Sequence, residues 1–357
     1  MLILRSRSQR NIVTGLCALT AAAFFTGCVS PSGKLQKRKG DEIVVAGQLF
    51  HTGTKVVTWM DPGGYDAYRV ERRFGPYAES DWEHSKTKLT SPNRYSLRAK
   101  GLTDEQIEMF RGGGWDLPSL QQKVDQFVLH FDVAGISRNC FKTLQDARTL
   151  SVHFMLDVDG TLYQTLDLKE RAWHATSSND RSIGIEIANM GCYSNKEKDP
   201  LSKWYKSDNR HTMMTIPESC GPNPVRTPHW SGGPVRHALV EGQVQGKTLH
   251  QYDYTPEQYK ALVRLTATLC SVFPKITCDY PRDEKGQLIT HKLPDEELSN
   301  YHGVMGHYHV QTNKVDPGPA LQWDYLISNA RKMMKGSNVP PEVRKKEKMS
   351  TKLISDN

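Results

Sequence analysis

Two short apolar runs, each carrying one polar side chain, constrain this chain most. Phe127-Val128-Leu129-His130-Phe131 reads as a buried strand, and a buried strand rarely carries a histidine without a use for it. Ser182-Ile183-Gly184-Ile185-Glu186-Ile187-Ala188-Asn189 reads as a second strand with a lone carboxylate, where an unpaired charge is costly. Alternation puts Ile183, Ile185 and Ile187 on one face and Gly184 and Glu186 on the other, so a solvent-facing Glu186 also fits the pattern. Around these runs, Ser151–Asp157 and Gly160–Leu166 form a hairpin through Asp159-Gly160. Phe141, Leu144 and Ala147 follow helical spacing. Thr255, Pro256 and Gln258 form a helix start with a capping box, and Tyr259, Leu262, Val263, Leu269 and Phe273 line one face of that helix. The spacing predicts a last helix over 319–334. Strands interleaved with helices and hairpins predict an α/β fold with a single mixed β-sheet flanked by helices.

The remainder extends this core. Residues 42–125 form an N-terminal extension with strand-like alternation near its start and short helices capped by Thr103 and Asp116. Residues 192–250, rich in Pro, Gly, Asn and His, read as a long surface insertion, and such excursions are often site walls or lids. Asp283 to Asn300 reads as a charged loop. The core domain spans 126–335, and 336–357 is a charged tail with the composition of a disordered segment. At the other end, Arg5, Arg7 and Arg10 precede a short apolar stretch, Ile12 to Phe25, too short for a membrane span that needs about 20 residues. Residues 1–27 therefore read as an export signal and 28–41 as a tether. Beyond Cys17 and Cys28, five cysteines remain. Cys192 with Cys220 and Cys270 with Cys278 are plausible disulfides, and the connectivity stays open.

The densest chemistry lies in Tyr301 to Gln322, YHGVMGHYHVQTNKVDPGPALQ. Zinc takes imidazole nitrogens and carboxylate oxygens, and a catalytic zinc keeps one position open. His307 and Asp316 suit a strand end and the loop that folds back on it. His302 and His309 are rivals to His307, and on a strand His309 would face the same side. Asp316 also fits a plain turn, and Lys314 a surface position. A third ligand must come from elsewhere, and His130 is the best candidate. With Glu186 these residues make the minimal kit of a zinc hydrolase.

The pieces resemble the type 2 N-acetylmuramoyl-L-alanine amidases, zinc enzymes with the peptidoglycan-recognition fold. VLHFD with His130, SVHFMLDVDGTLYQTLDLKERAWHA, SIGIEIAN with Glu186, GHYHV with His307 and KVDPGP with Lys314 and Asp316 occur in that family's order. The resemblance implies that one zinc ion per chain is held by His130, His307 and Asp316, the Gly-His pair selecting His307. It implies Glu186 as general base and Lys314 as stabiliser of the oxyanion. His174, in Trp173-His174-Ala175, matches a motif near the substrate groove and is expected to bind substrate or to support the ligands. Trp173 and Trp230 are expected to pack in the core or to stack on sugar rings. His153 is expected to be structural.

The reaction expected is hydrolysis of the amide between N-acetylmuramic acid and L-alanine. A binding module without catalysis, or a zinc peptidase acting within the stem peptide, are the alternatives. Phe25-Thr26-Gly27-Cys28 resembles a lipobox, so Cys28 is expected to carry lipid. Val29 rather than aspartate favours the outer membrane, facing the periplasm. Losing the signal's three arginines lowers the formal charge from +8 to +5, which suits an anionic polymer such as peptidoglycan. No nucleic-acid-binding motif is present, and a nucleic-acid partner is not expected.

Overall fold

The computed structural model describes residues 32–86, 89–194, 200–208 and 211–336. The expected export signal, Cys28 and all of the expected tail but its first residue lie outside these. The chain divides into two units, Met1–Arg38 and Lys39–Asn357. Of the first, the described residues 32–38 contain a turn and no strand or helix.

The second unit is built on a six-stranded mixed sheet. Its strands are β1 (Val56–Thr58), β2 (Gln126–Phe131), β3 (Phe154–Leu156), β4 (Leu162–Gln164), β5 (Ser182–Ile187) and β6 (Gly303–Gly306). They lie in the order β6-β2-β5-β3-β4-β1. β6, β2, β5 and β3 run parallel, β4 pairs antiparallel with β3, and β1 closes the edge parallel to β4. The single mixed sheet agrees with the sequence reading. β1 belongs to the 42–125 extension, so that segment completes the sheet rather than standing beside it.

The two faces of the sheet have different tasks. Phe127, Leu129, Ile183, Ile185, Ile187, Phe154 and Leu162 turn to one side and pack on helices α1 (Pro256–Val272) and α2 (Trp323–Met334). The α1 start is built as its sequence predicts. Thr255 Oγ1 accepts from the Gln258 amide at 3.1 Å, and Gln258 Oε1 accepts from the Thr255 amide at 2.9 Å. Gln258 Nε2 also donates to Ala188 O at 2.7 Å, which ties the helix start to the end of β5. The opposite face carries Val128, Met155, Tyr163 and Met305 under smaller clusters, and between them it presents the polar members of β2 and β5.

Several sequence expectations change. β6 stops at Gly306, and His307–His309 form a single 3-10 turn instead of continuing the strand. Asp295–Asn300 is a helix within the expected loop, because Pro294 opens it and three acidic residues occupy its first turn. The last helix begins at Trp323, because the stretch around Pro317 and Pro319 is taken up by turns, with Gly318 at φ 81°. The 192–250 insertion contains two hairpins, Tyr205–Ser207 with Thr212–Met214 and Val240–Val244 with Lys247–Gln251. Gln245, at the tip of the second, sends its Nε2 to the carbonyls of Tyr308 (2.9 Å), Gln311 (2.9 Å) and Lys314 (3.2 Å). Cys140, Cys192, Cys220, Cys270 and Cys278 are all free thiols, so neither expected disulfide is formed.

Candidate active site

In the parallel pair β2–β5, His130 stands directly opposite Glu186. Partners in register leave a sheet on the same side. Both therefore point away from α1, on the face that also carries Gly184. β6 lies on the other flank of β2 and delivers His307 just past its end. The chain then folds back through Lys314 to Asp316, whose bond to Pro317 is cis.

Three side chains converge there. His130 Nδ1 lies 3.0 Å from His307 Nδ1 and 2.8 Å from Asp316 Oδ2, and His307 Nδ1 lies 2.9 Å from the same oxygen. Zinc bonds of about 2.0–2.1 Å place tetrahedral ligand atoms about 3.3 Å apart. The triangle is slightly tighter than that and otherwise of the right size, so the residues fit the ion. Its chemistry fits too. Burial, and then the neighbouring His307, push the His130 imidazole down to about 4, so the ring is neutral at pH 7. Burial works to raise Asp316, yet the two histidines beside it, His307 foremost, hold it well below the usual carboxylate range. A neutral His130 imidazole and an ionised Asp316 carboxylate are in the form a divalent ion requires.

Glu186 lies partly buried beside this triangle. Its Oε2 is shielded from solvent and has no hydrogen-bond partner. Burial, then Asp316 and Asp132, raise its pKa well above the ordinary value, while Lys314 and Arg148 oppose the shift. A basic oxygen left free beside a candidate ion is poised to take a proton. His130, His174, Glu186, His307, Lys314 and Asp316 share the wall of one cavity of about 170 Å³.

The rivals to His307 resolve by geometry. A 3-10 turn rotates about 120° per residue, so residues two apart diverge, unlike those of a strand. His309 is fully buried, accepts from the Gly306 amide at 2.9 Å and sits 2.6 Å from Ile289 O through Nε2. His302 lies against Asp125 and Arg181 instead. His153 is structural: its Nδ1 accepts from the Gly184 amide at 3.1 Å and its Nε2 meets Arg98 at 3.0 Å. Trp173 lines the cavity, whereas Trp230, within the insertion, packs against an apolar cluster that includes Trp204 and Met214. A second ligand-type group, Asp41, Glu42 and His51, has its carboxylates taken up by nearby backbone amides.

Sequence reasoning missed several neighbours. Gln311 Oε1 is 2.7 Å from His307 Nε2, one helical repeat on from its partner. Asp132 lines the cavity two residues beyond His130, and burial pushes its carboxyl up to about 7. Arg148 also lines it, from an exposed turn whose composition carries no signal.

A family model described as N-acetylmuramoyl-L-alanine amidase matches residues 120–319. No curated protein matches the chain. Among solved structures, a selenomethionine derivative of AmpD is similar at 16% identity, covering 67% of this chain and 89% of that one, with a TM-score of 0.30. The N-acetylmuramyl-L-alanine amidase AmiD from E. coli, in complex with the substrate anhydro-N-acetylmuramic acid-L-Ala-D-gamma-Glu-L-Lys, is similar at 17% identity. The match covers 58% of this chain and 57% of AmiD, with a TM-score of 0.34. The endolysin amidase LysCS from Clostridium intestinale is similar at 13% identity, covering 59% and 86%, with a TM-score of 0.29.

Proposed function

The chain belongs to the N-acetylmuramoyl-L-alanine amidase family, whose model spans more than half of it, and from that premise we propose a zinc-dependent hydrolase with His130, His307 and Asp316 as the ligands. Its bond is the amide between N-acetylmuramic acid and L-alanine in peptidoglycan or muropeptides. The observation that carries this reading is the meeting of three ligand atoms within 3.0 Å of one another, from residues as far apart as 130 and 316.

Zinc bound there would polarise the scissile carbonyl and make water acidic enough to attack near pH 7. The remaining work falls to the chain. Glu186 takes a proton from the attacking water through its unpartnered Oε2 and passes it to the leaving L-alanine nitrogen. Lys314, on the cavity wall, offsets the negative charge that develops on the carbonyl oxygen.

Mass spectrometry of peptidoglycan fragments after digestion tests the proposal. Free stem peptides beginning at L-alanine are expected, from intact sacculi or from anhydro-muropeptides. A chelator should abolish them and added zinc restore them. Cleavage within the stem would identify a peptidase, and chelator-resistant release would remove the metal from the mechanism.

A cell-envelope setting follows from the family. Among the described residues, no helix is long and apolar enough to cross a membrane. The attachment proposed is lipid on Cys28, holding the enzyme at the outer membrane facing the periplasm. Cys28→Ser should move the protein from the membrane to the soluble fraction. Continued membrane association of that variant would count against the anchor.

A further inference from the structure

His174 occupies the cavity wall, but both of its ring nitrogens are already engaged. Nδ1 lies 3.0 Å from His130 Nε2, and Nε2 lies 3.2 Å from Ser182 Oγ. The His130 and His174 rings meet edge to face, at 84° with centroids 5.2 Å apart. On the zinc reading, which this inference rests on, His130 binds through Nδ1, the atom that faces His307 and Asp316. A ligating nitrogen carries no proton, so a neutral His130 must hold its proton on Nε2. Among the described residues, that proton has one acceptor within reach, His174 Nδ1. His174 must then carry its own proton on Nε2 and give it to Ser182 Oγ. The row of bonds can also run in the opposite sense, but that sense protonates His130 Nδ1 and spoils the donor set.

The sequence holds the His174 ring in place. Its backbone amide, with that of Ala175, donates to Asn179 Oδ1. Behind it is Gly184, in the middle of β5, where glycine ordinarily weakens a strand. A Cβ at Gly184 would lie 2.5 Å from His174 Nδ1 and 2.6 Å from Cε1, far inside contact distance. The glycine is the space into which the imidazole fits. Glu186, two residues on, faces the same side of the strand, so β5 supplies both the free carboxylate and the seat for His174.

We propose that His174 is a positioning residue that fixes the metal-binding tautomer and ring orientation of His130, with Ser182 as its proton acceptor and Gly184 as its seat. It acts through His130 and leaves no ring nitrogen for substrate, which favours the supporting role over the substrate contact, the two roles expected from sequence.

The test is zinc affinity of the full chain, by competition with a chromophoric chelator, with thermal melting to show that each variant is folded. The wild type should bind one zinc per chain. His174→Ala should bind about 10–100-fold more weakly, the usual cost of losing a partner behind a ligating histidine. His174→Gln, whose amide oxygen accepts the same hydrogen bond, should recover most of that loss. Gly184→Ala keeps the ring but pushes it out of its seat, and should weaken zinc in the same range. It also decides the matter if His174→Ala does not fold. Variants that bind zinc as tightly as the wild type overturn the proposal, as would a His174→Ala that keeps its zinc and shows only a raised KM. A wild type that binds no zinc would instead overturn the metal reading beneath it.

Discussion

Glu186→Gln is expected to lower turnover of muropeptide by about 10²–10⁴-fold, the usual worth of a positioned general base. Zinc content should not change, because Glu186 contributes no atom to the ligand triangle. Glutamine has nearly the same shape and cannot accept the proton, so the loss reports chemistry rather than packing. Activity retained by a zinc-loaded Glu186→Gln would remove the residue from the mechanism. The pH profile gives a second reading. Burial, Asp316 and Asp132 raise the Glu186 carboxyl well above its ordinary value, so the acid limb of kcat/KM should lie above the normal carboxylate range. Lys314 pulls in the opposite direction, and removing it disfavours the charged form. Lys314→Met should therefore move the acid limb to still higher pH as it lowers kcat. A limb that stays put would place Lys314 outside the field felt by the base. Stability carries the opposite sign. A carboxyl raised on folding contributes stability that is present below its unfolded pKa and lost as pH rises through the folded one. Glu186→Gln should melt higher than the wild type at alkaline pH and much like it at acid pH, a gain in stability at the expense of function.

Arg98→Met is expected to be the most destabilising single change, in a residue far from the chemistry. Arg98 is fully buried. Its guanidinium donates to Leu168 O at 3.0 Å, Asp180 O at 3.1 Å, Ser182 O at 3.0 Å and Asn179 O at 3.3 Å, and meets His153 Nε2 at 3.0 Å. No carboxylate touches it in this set. Burial pushes the group down to about 10, which leaves it charged at pH 7, held by oriented carbonyls. Methionine would fill much of the volume but leave those carbonyls unpaired at about 1–3 kcal/mol each. The total, on the order of 4 kcal/mol or more, is a large share of the roughly 5–15 kcal/mol that holds a domain folded. Chemical denaturation should show the midpoint falling accordingly. Lysine should rescue poorly, since an ammonium cannot spread its donors over the same fan of acceptors. A midpoint shifted no further than that of an exposed substitution would refute this account. The damage should also reach the proposed metal ligands, because Arg98 donates directly to Ser182 O at the start of β5, the strand paired with β2 and His130.

His130 and Glu186 were legible in the sequence because each breaks an apolar run, and parallel pairing then set them side by side. The capped start of α1 was legible because its signals are local: one hydroxyl, one proline and one glutamine. His307 could not be separated from His309 by pattern, since that choice depends on β6 ending one residue before it. Arg98 left no trace, being one arginine in an irregular polar stretch with no period to betray burial. The 42–125 segment looked like an addition because β1 is only three residues long and pairs with β4, a hundred positions further on. Neither cysteine pair is joined, although the Cys270 and Cys278 thiols lie in hydrogen-bond contact, so the chain spacing was informative for that pair as a neighbourhood and not as a bond.

Gln245 plugs its amide into the stretch that separates His307 from Asp316. The span between two of the three proposed ligands is thus gauged by a side chain from a hairpin that bears none of the proposed catalytic groups. Shortening that hairpin would withdraw the amide that holds the carbonyls of Tyr308, Gln311 and Lys314, and so loosen the spacing of the proposed centre. Anyone moving this site to a new scaffold would have to carry the hairpin along with the ligands.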